Sequence, residues 1–215
     1  MLKIEHITTG YGKKQVLTDV SFDVKQGEIV LLSGGNGSGK STILKTIYGL
    51  LKPWTGEGKV LFESEDITGL HPSEMIRRGI VYMPQKKNVF NEFTVEENLL
   101  TSASIYPKKE AKRRMEKVYE TISQLANMKR RTPFHMSGGE KQLLAFGNTL
   151  IHSPQLILLD EPLAGVDSLN SEVLSYYVKK INDSGTSFII VEHKKHLFDN
   201  FEFKEIMLEL GTIKK

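Results

Sequence analysis

The sequence predicts an α/β fold with a mainly parallel core sheet, an N-terminal antiparallel β subdomain and an inserted α-helical subdomain. Three observations predict it. Short continuous apolar runs, "IVLL" (29–32), "LILL" (156–159) and "FIIV" (188–191), have the pattern of strands buried on both faces. Helical stretches separate these runs, and alternating strands and helices imply parallel pairing. Near the N-terminus, "LKIEHI" and "VSFDV" instead alternate apolar and polar residues, as half-buried strands do.

Taken in order, "GEIVLLSG" is a buried strand that stops at glycine, and a helix follows from Lys40 through "STILKTIYGL". "GKVLFESEDI" reads as a strand pair, and "RRGIVYMPQ" as a short buried strand ending at Pro84. From Thr94 to about Met128 the pattern turns helical. There Met115, Val118, Tyr119, Ile122 and Leu125 recur at spacings of three and four, which makes one apolar stripe. Helices are expected from about Gly138 to His152 and from about Ser168 to Asp183, flanking the strand "PQLILLDEP" and preceding "TSFIIVEH". The expected organisation is a single domain over 1–215. Residues 1–87 and 132–215 form its α/β core, and about 88–131 its helical subdomain.

Bulk composition excludes several classes. The 215 residues hold 39% hydrophobic side chains, enough for a packed core. With 29 basic and 26 acidic residues, the net charge of +3 gives no argument for nucleic acid as a partner. Cysteine is absent, which rules out disulfides and thiolate metal sites. The N-terminus lacks the apolar core of a signal peptide, and no apolar run is long enough to span a bilayer.

Two segments carry chemistry on their residues alone. "GGNGSGKST" spans Gly34, Gly35, Asn36, Gly37, Ser38, Gly39, Lys40, Ser41 and Thr42, and matches the phosphate-loop pattern between a strand and a helix. Its glycines let successive backbone N–H groups point at phosphate oxygens, and the helix adds its positive dipole end. Lys40 can reach the β and γ phosphates of a nucleotide, and the Ser41 hydroxyl can ligate Mg²⁺. "LILLDEP" places Asp160 at the carboxyl end of a buried strand, where it can hold Mg²⁺ through water. Glu161 follows and can orient and deprotonate an attacking water. A third segment, "SGGEK", opens a helix at Ser137, Gly138, Gly139 and Glu140, and so offers a second anion-binding terminus. Spacing alone leaves open whether it serves the same nucleotide or one held by another copy.

The phosphate loop, "MPQ", "SGGEKQ", "LLDEP", "VD" and "VEH", in this order from Leu2 to about Lys195, resemble the ATP-binding subunits of ABC transporters, a branch of the phosphate-loop NTPases. The resemblance implies a Mg²⁺-dependent ATPase that works as a head-to-tail dimer, with each ATP clamped between one subunit's phosphate loop and the other's Ser-Gly-Gly helix. It implies that Tyr11 stacks on adenine and that Val16 packs near the ribose. Gln85 would touch Mg²⁺ and the water, and Ser137 and Gly139 would hold the γ phosphate across the dimer. Asp167 would signal between the two sites, and His193 would hold the γ phosphate and the water. The implied partners are a second copy or a paralogous ATPase subunit, and integral membrane permease subunits on whose cytoplasmic side the chain would sit. His6, His71, His135, His152 and His196 match no motif and read as surface or packing residues.

Within the family, "YGKKQVL", "MPQKKNVFNEFTVEENL" and "LAGVD" look most like branched-chain amino acid importer ATPases. "RRGI" and "GVD" are shared with the lipopolysaccharide-export ATPase, so transport direction stays open. A soluble ABC ATPase of DNA repair or translation, and a nucleotide switch without hydrolysis, are the competing classes. Gly35 stands where many relatives carry proline, Met136 where leucine is usual, and Glu140 where glutamine is common. The short tail after His193 predicts no C-terminal regulatory domain and little room for the last structural elements of relatives. "KKEAKRR" (108–114) reads as the solvated face of an amphipathic helix. Val89, Phe90 and Phe93 lie where relatives receive a coupling helix from the membrane subunit.

Overall fold

The structure, a computed structural model, describes residues 1–54, 56, 58–86, 88–193, 198 and 201–214. Lys195 and His196, reached by the sequence reading, lie outside the described residues.

Two sheets stack through one core. A four-stranded antiparallel sheet runs in the order β2 (Lys14–Val24), β1 (Leu2–Tyr11), β4 (Lys59–Phe62), β5 (Glu65–Asp66). A six-stranded sheet includes β3 (Ile29–Gly34), β6 (Ile80–Met83), β7 (Leu156–Asp160) and β8 (Ser187–Val191). Those four strands pair in parallel, in the order β3-β8-β7-β6.

Alternate residues of the apolar runs enter opposite cores, which explains why the runs are continuous. Leu31, Leu159 and Ile190 pack towards the helical face, while Val30, Leu158 and Ile189 pack with the antiparallel sheet. The antiparallel-sheet face also takes α1 (Lys40–Ile47), whose Ile43, Leu44 and Ile47 are buried there.

The expected helical stretch is broken into α3 (Val95–Ser102), α4 (Lys108–Thr121) and α5 (Ser123–Asn127), with a 3₁₀ turn over Ala103–Ile105. Pro107 stands just before α4 as its N-cap, with φ −56 and an extended ψ of 145, where its missing N–H costs no helical hydrogen bond. Met115, Val118, Tyr119, Ile122 and Leu125 are all buried, as the stripe requires. Most of the "KKEAKRR" segment lies on the outer face of α4, where Glu110 pairs with Arg113 and Arg114, while its Ala111 turns into the core. α6 (Gly138–Leu150) and α7 (Ser168–Asp183) fall where the pattern puts them.

Two features depart from expectation. α2 (Pro72–Arg77) has no counterpart in the sequence reading; it is a single turn and a half with Pro72 at its first position and His71 as its cap. The tail does hold further elements: β9 (Lys204–Glu209) pairs in parallel with β3, and β10 (Thr212–Ile213) turns back on it. The expectation of little room is thereby corrected. β9 covers the edge of the strand that carries the phosphate loop, and sheet edges left bare are a hazard.

Candidate nucleotide site

At the carboxyl ends of β3 and β7 the chain leaves the sheet in two loops that meet. The loop after β3 passes so close to β9 that a Cβ on Gly34 would stand 2.2 Å from the Leu208 carbonyl oxygen. Gly34 also has φ 137, which only glycine adopts without strain. α1 begins immediately after Gly39 with no side-chain cap, so its first N–H groups face the loop. Lys40 Nζ donates to the carbonyls of Gly34 at 2.9 Å and Gly35 at 2.8 Å, lying across the cradle. Burial pushes its ammonium below the ordinary lysine value, and the charges of Glu161 and Asp160 oppose that fall. Ser38 Oγ is buried without a hydrogen-bond partner, so the cradle holds an unused donor.

Ser41 Oγ donates to Asp160 Oδ1 at 2.7 Å, joining the two loops across 119 residues of chain. Tyr82 Oη donates to the other oxygen, Oδ2, at 2.8 Å. Next in sequence, Glu161 has φ 48, a left-handed backbone that costs a side-chain-bearing residue of order 1 kcal/mol. Its own N–H donates to the Val191 carbonyl at 2.9 Å, which locks the turn to β8. The Glu161 carboxylate accepts from Gln85 Nε2, and His193 Nε2 lies 3.6 Å from Oε1. Gln85, Glu161 and His193 are therefore one cluster.

Tyr11, Val16, Asn36, Gly37, Gly39, Lys40, Ser41, Thr42 and Glu161 line one cleft of about 470 Å³. Tyr11 stands at its mouth, 47% exposed, with its hydroxyl 3.5 Å from Lys45 Nζ. Lys14, Gln15 and Leu210 also line the cleft and carry no signal in the sequence reading. Leu210 enters through the β9–β10 turn, where Gly211 N–H donates to the Ser38 carbonyl and Thr18 N–H donates to the Gly211 carbonyl.

Ser137 and its neighbours do not line this cleft. Ser137 caps α6: its Oγ accepts from Glu140 N–H at 3.2 Å, and Glu140 Oε2 accepts from Ser137 N–H at 2.7 Å. Arg131 holds the Glu140 carboxylate from outside at 2.8 Å. Gly139 is packed tight, since a Cβ there would stand 2.2 Å from Asn170 Cβ. Asn170 is in turn held by Asp167, which caps α7 by accepting from Asn170 N–H at 3.0 Å. Asp167, Gly138, Gly139 and the Ser137 cap thus form a second assembly, at the start of α6 and α7.

Two residues with structural leverage on the cleft were missed: Tyr82, and Glu192 in "VEH". Glu192 is 4% exposed, and its carboxylate accepts from the N–H of Leu163 at 3.1 Å and of His193 at 2.8 Å. It ties the loop after Glu161 to the loop holding His193. His6, His71, His135 and His152 sit as packing or surface residues: His6 on Asp19, His71 capping α2, His135 against Phe134, His152 against Tyr106.

The donor set also tests for Mg²⁺. Ser41 and Asp160 offer oxygens side by side, the ligand type a hard cation takes, with phosphate and water supplying the rest. No group of three or more His, Cys, Asp or Glu forms a metal cage among the described residues, so a metal held partly by substrate fits better than an all-protein site.

Residues 17–164 match the sequence family described as ABC transporter. The high-affinity branched-chain amino acid transport ATP-binding protein BraG of Pseudomonas aeruginosa is 36% identical, over 99% of this chain and 91% of that protein. The lipopolysaccharide export system ATP-binding protein LptB of Haemophilus influenzae is 32% identical, over 90% of this chain and 80% of that protein. Among solved structures, a dimeric post-hydrolysis state of the ATP-binding cassette MJ0796 bound to ADP and Pi superposes with a TM-score of 0.85 at 27% identity. It covers 100% of this chain and 97% of its own.

Proposed function

This chain belongs to the ABC transporter family, as an ATP-binding cassette of the ATPase type, and from that premise we propose that it powers amino acid import of the branched-chain kind as a head-to-tail dimer. The observation that carries the catalytic part is the convergence of Lys40, Ser41, Asp160 and Glu161 where β3 and β7 end. Binding of ATP draws Lys40 from the Gly34 and Gly35 carbonyls onto the β and γ phosphates. The loop amides and the start of α1 take the remaining phosphate charge. Tyr11 stacks on the base, and Val16 lies against the sugar.

Mg²⁺, when bound, neutralises charge that develops between the phosphates. Ser41, Asp160 and Gln85 are the residues that would hold it, Asp160 through water. Glu161 takes the proton of the attacking water and is oriented by the Gln85 hydrogen bond, with His193 close to its other oxygen. Lys40 and the loop amides stabilise the transferred phosphoryl group.

Ser137, Gly138, Gly139 and Glu140 lie outside the cleft, which supports the reading that the start of α6 completes the site of a second copy. Asp167 stands beside that start through Asn170 and Gly139, a position from which one site can sense the other. Coupling to integral membrane permease subunits runs through the 88–93 loop. Phe90 and Phe93 are 55% and 42% exposed there and pack on each other, while the buried Asn98 side chain pins their backbone. No helix among the described residues is long and apolar enough to cross a membrane, so attachment to the cytoplasmic face falls to those permeases.

The likeness to LptB favours a second reading, export of a lipopolysaccharide-type cargo. Glu161→Gln tests the ATPase: it should keep MgATP binding, accumulate as a dimer, and lose phosphate release by about 100-fold or more. Unchanged turnover would reject the base role of Glu161. Reconstitution with candidate permease subunits in vesicles, and uptake of labelled leucine into them, tests the import reading.

A further inference from the structure

Asp160 is 5% exposed, and both of its oxygens are engaged by hydroxyl donors from other parts of the chain. Ser41 belongs to the phosphate loop and is already part of the proposed metal site. Tyr82 does not touch the cleft; it sits on β6, three residues before Gln85. Its ring packs on Tyr48 of the α1 end, with centroids 5.5 Å apart, so the hydroxyl is aimed rather than swinging. We propose that Tyr82 is a positioning residue for Asp160, and that the end of β6 thereby ties the Mg²⁺ site to the Gln85 loop.

The physical argument has three parts. A carboxylate buried to this degree needs hydrogen-bond donors on its oxygens in place of the water it has lost. Ser41 matches one oxygen, and Tyr82 is the donor on the other. Second, a carboxylate at the metal's outer sphere must present a fixed face, and groups that orient such ligands commonly change metal affinity by tenfold or more when removed. Third, Tyr82 and Gln85 leave the same strand end and donate to neighbouring carboxylates, Tyr82 to Asp160 and Gln85 to Glu161. A shift of that strand end would move both acids together.

This inference rests on the reading of Asp160 as a residue of the metal site. It is tested on the full chain by titrating Mg²⁺ at saturating ADP and following the gain in melting temperature, a readout independent of turnover. Tyr82→Phe, which keeps the ring on Tyr48, should raise the Mg²⁺ concentration for half the gain by about tenfold. ADP binding in EDTA should be unchanged. Tyr48→Phe should behave as wild type in both assays. If Tyr82→Phe melts too low for the thermal assay, calorimetric Mg²⁺ titration of its ADP complex at low temperature should show the same rise. A Mg²⁺ requirement for Tyr82→Phe within twofold of wild type, while Asp160→Asn is impaired, overturns the role of Tyr82 alone. An equal shift in Tyr48→Phe also overturns it, by showing that loss of a neighbouring hydroxyl that does not bond Asp160 has the same effect. A wild-type Mg²⁺ requirement in Asp160→Asn overturns the metal site itself, and the role of Tyr82 with it.

Discussion

Gln85 donates its side-chain amide to Glu161 Oε2 across 76 residues of chain, while His193 Nε2 stands 3.6 Å from Oε1 of the same carboxylate. Gln85 is thus the hydrogen-bond donor that orients this acid, with His193 close by but beyond hydrogen-bond distance. Gln85→Ala should therefore lower kcat about tenfold by loosening the base, with KM for ATP within threefold of wild type. Gln85→Glu should be worse, because a second carboxylate against Glu161 raises the proton affinity of the pair and blunts the base at neutral pH. Steady-state phosphate release across an ATP series checks both. A kcat for Gln85→Ala equal to wild type would show that His193 and the left-handed turn suffice.

The start of α6 carries two separable jobs. Ser137 and Glu140 cap each other's N–H groups, so Ser137→Ala should lose about 1 kcal/mol of stability. For a chain of this length that is a fall of roughly 2–4 °C in Tm. Binding of ADP to the monomer should not change, because Ser137 is outside the cleft. In the Glu161→Gln background the MgATP-dependent dimer should be lost. Light scattering and calorimetry read the two effects apart. Gly139→Ala is a poor substitute, since its new methyl meets Asn170 and would disturb the packing of α6 on α7.

Much of this arrangement was legible in the sequence, for identifiable reasons. The runs around Leu31, Leu158 and Ile189 declare their strands because both faces of the sheet are covered. Gly34 to Thr42 is legible because phosphate binding needs glycines and a helix start at fixed offsets. α2 was not, because six residues are too few for helical periodicity, and its signs are only Pro72 and the His71 cap. β9 was missed because its alternation, "KEIMLE", follows a charged tail instead of a glycine turn, and its burial depends on the edge of β3. The Tyr82–Asp160 contact depends on the parallel register of β6 on β7, which pairs Met83 with Leu159. No local pattern encodes a register between strands so far apart in sequence.

Asn98 is fully buried, and one side chain organises the loop that displays Phe90 and Phe93. Its Oδ1 accepts from Phe90 N–H, and its Nδ2 lies within 3.0 Å of the carbonyls of Phe90, Phe93 and Thr94. Asn98→Ala removes the side-chain partner of the Phe90 N–H and of the Phe93 carbonyl, while the Phe90 and Thr94 carbonyls keep the N–H groups of Phe93 and of residue 98, and should cost about 1–3 kcal/mol. Urea denaturation gives the figure. Phe90→Ala, by contrast, removes an exposed ring and should leave stability within about 0.5 kcal/mol while weakening co-purification with the permease subunits. A stable Asn98→Ala would mean that water replaces the side chain.

His152 supplies a pH dependence with a definite sign. Burial is the main cause, with the Arg114 charge second, of a fall from 6.5 to about 4 in the folded chain. The ring meets the Tyr106 hydroxyl at 3.1 Å, and Arg114 lies over the Tyr106 ring at 4.0 Å, so a proton placed there would face a nearby cation. An unfolded chain takes up that proton near pH 6.5, whereas the folded chain resists it until about pH 4. Stability from this group is therefore whole above pH 6.5 and declines as pH falls towards 4. The full decline is on the order of 2–3 kcal/mol. His152→Gln keeps a polar partner for Tyr106 and does not titrate. Urea midpoints at pH 7.5 and about pH 5 should fall more in wild type than in His152→Gln. Other histidines are common to both proteins and cancel in the difference. Parallel declines would mean that His152 is protonated in the folded protein, and that the space around Tyr106 admits enough water to solvate the charge.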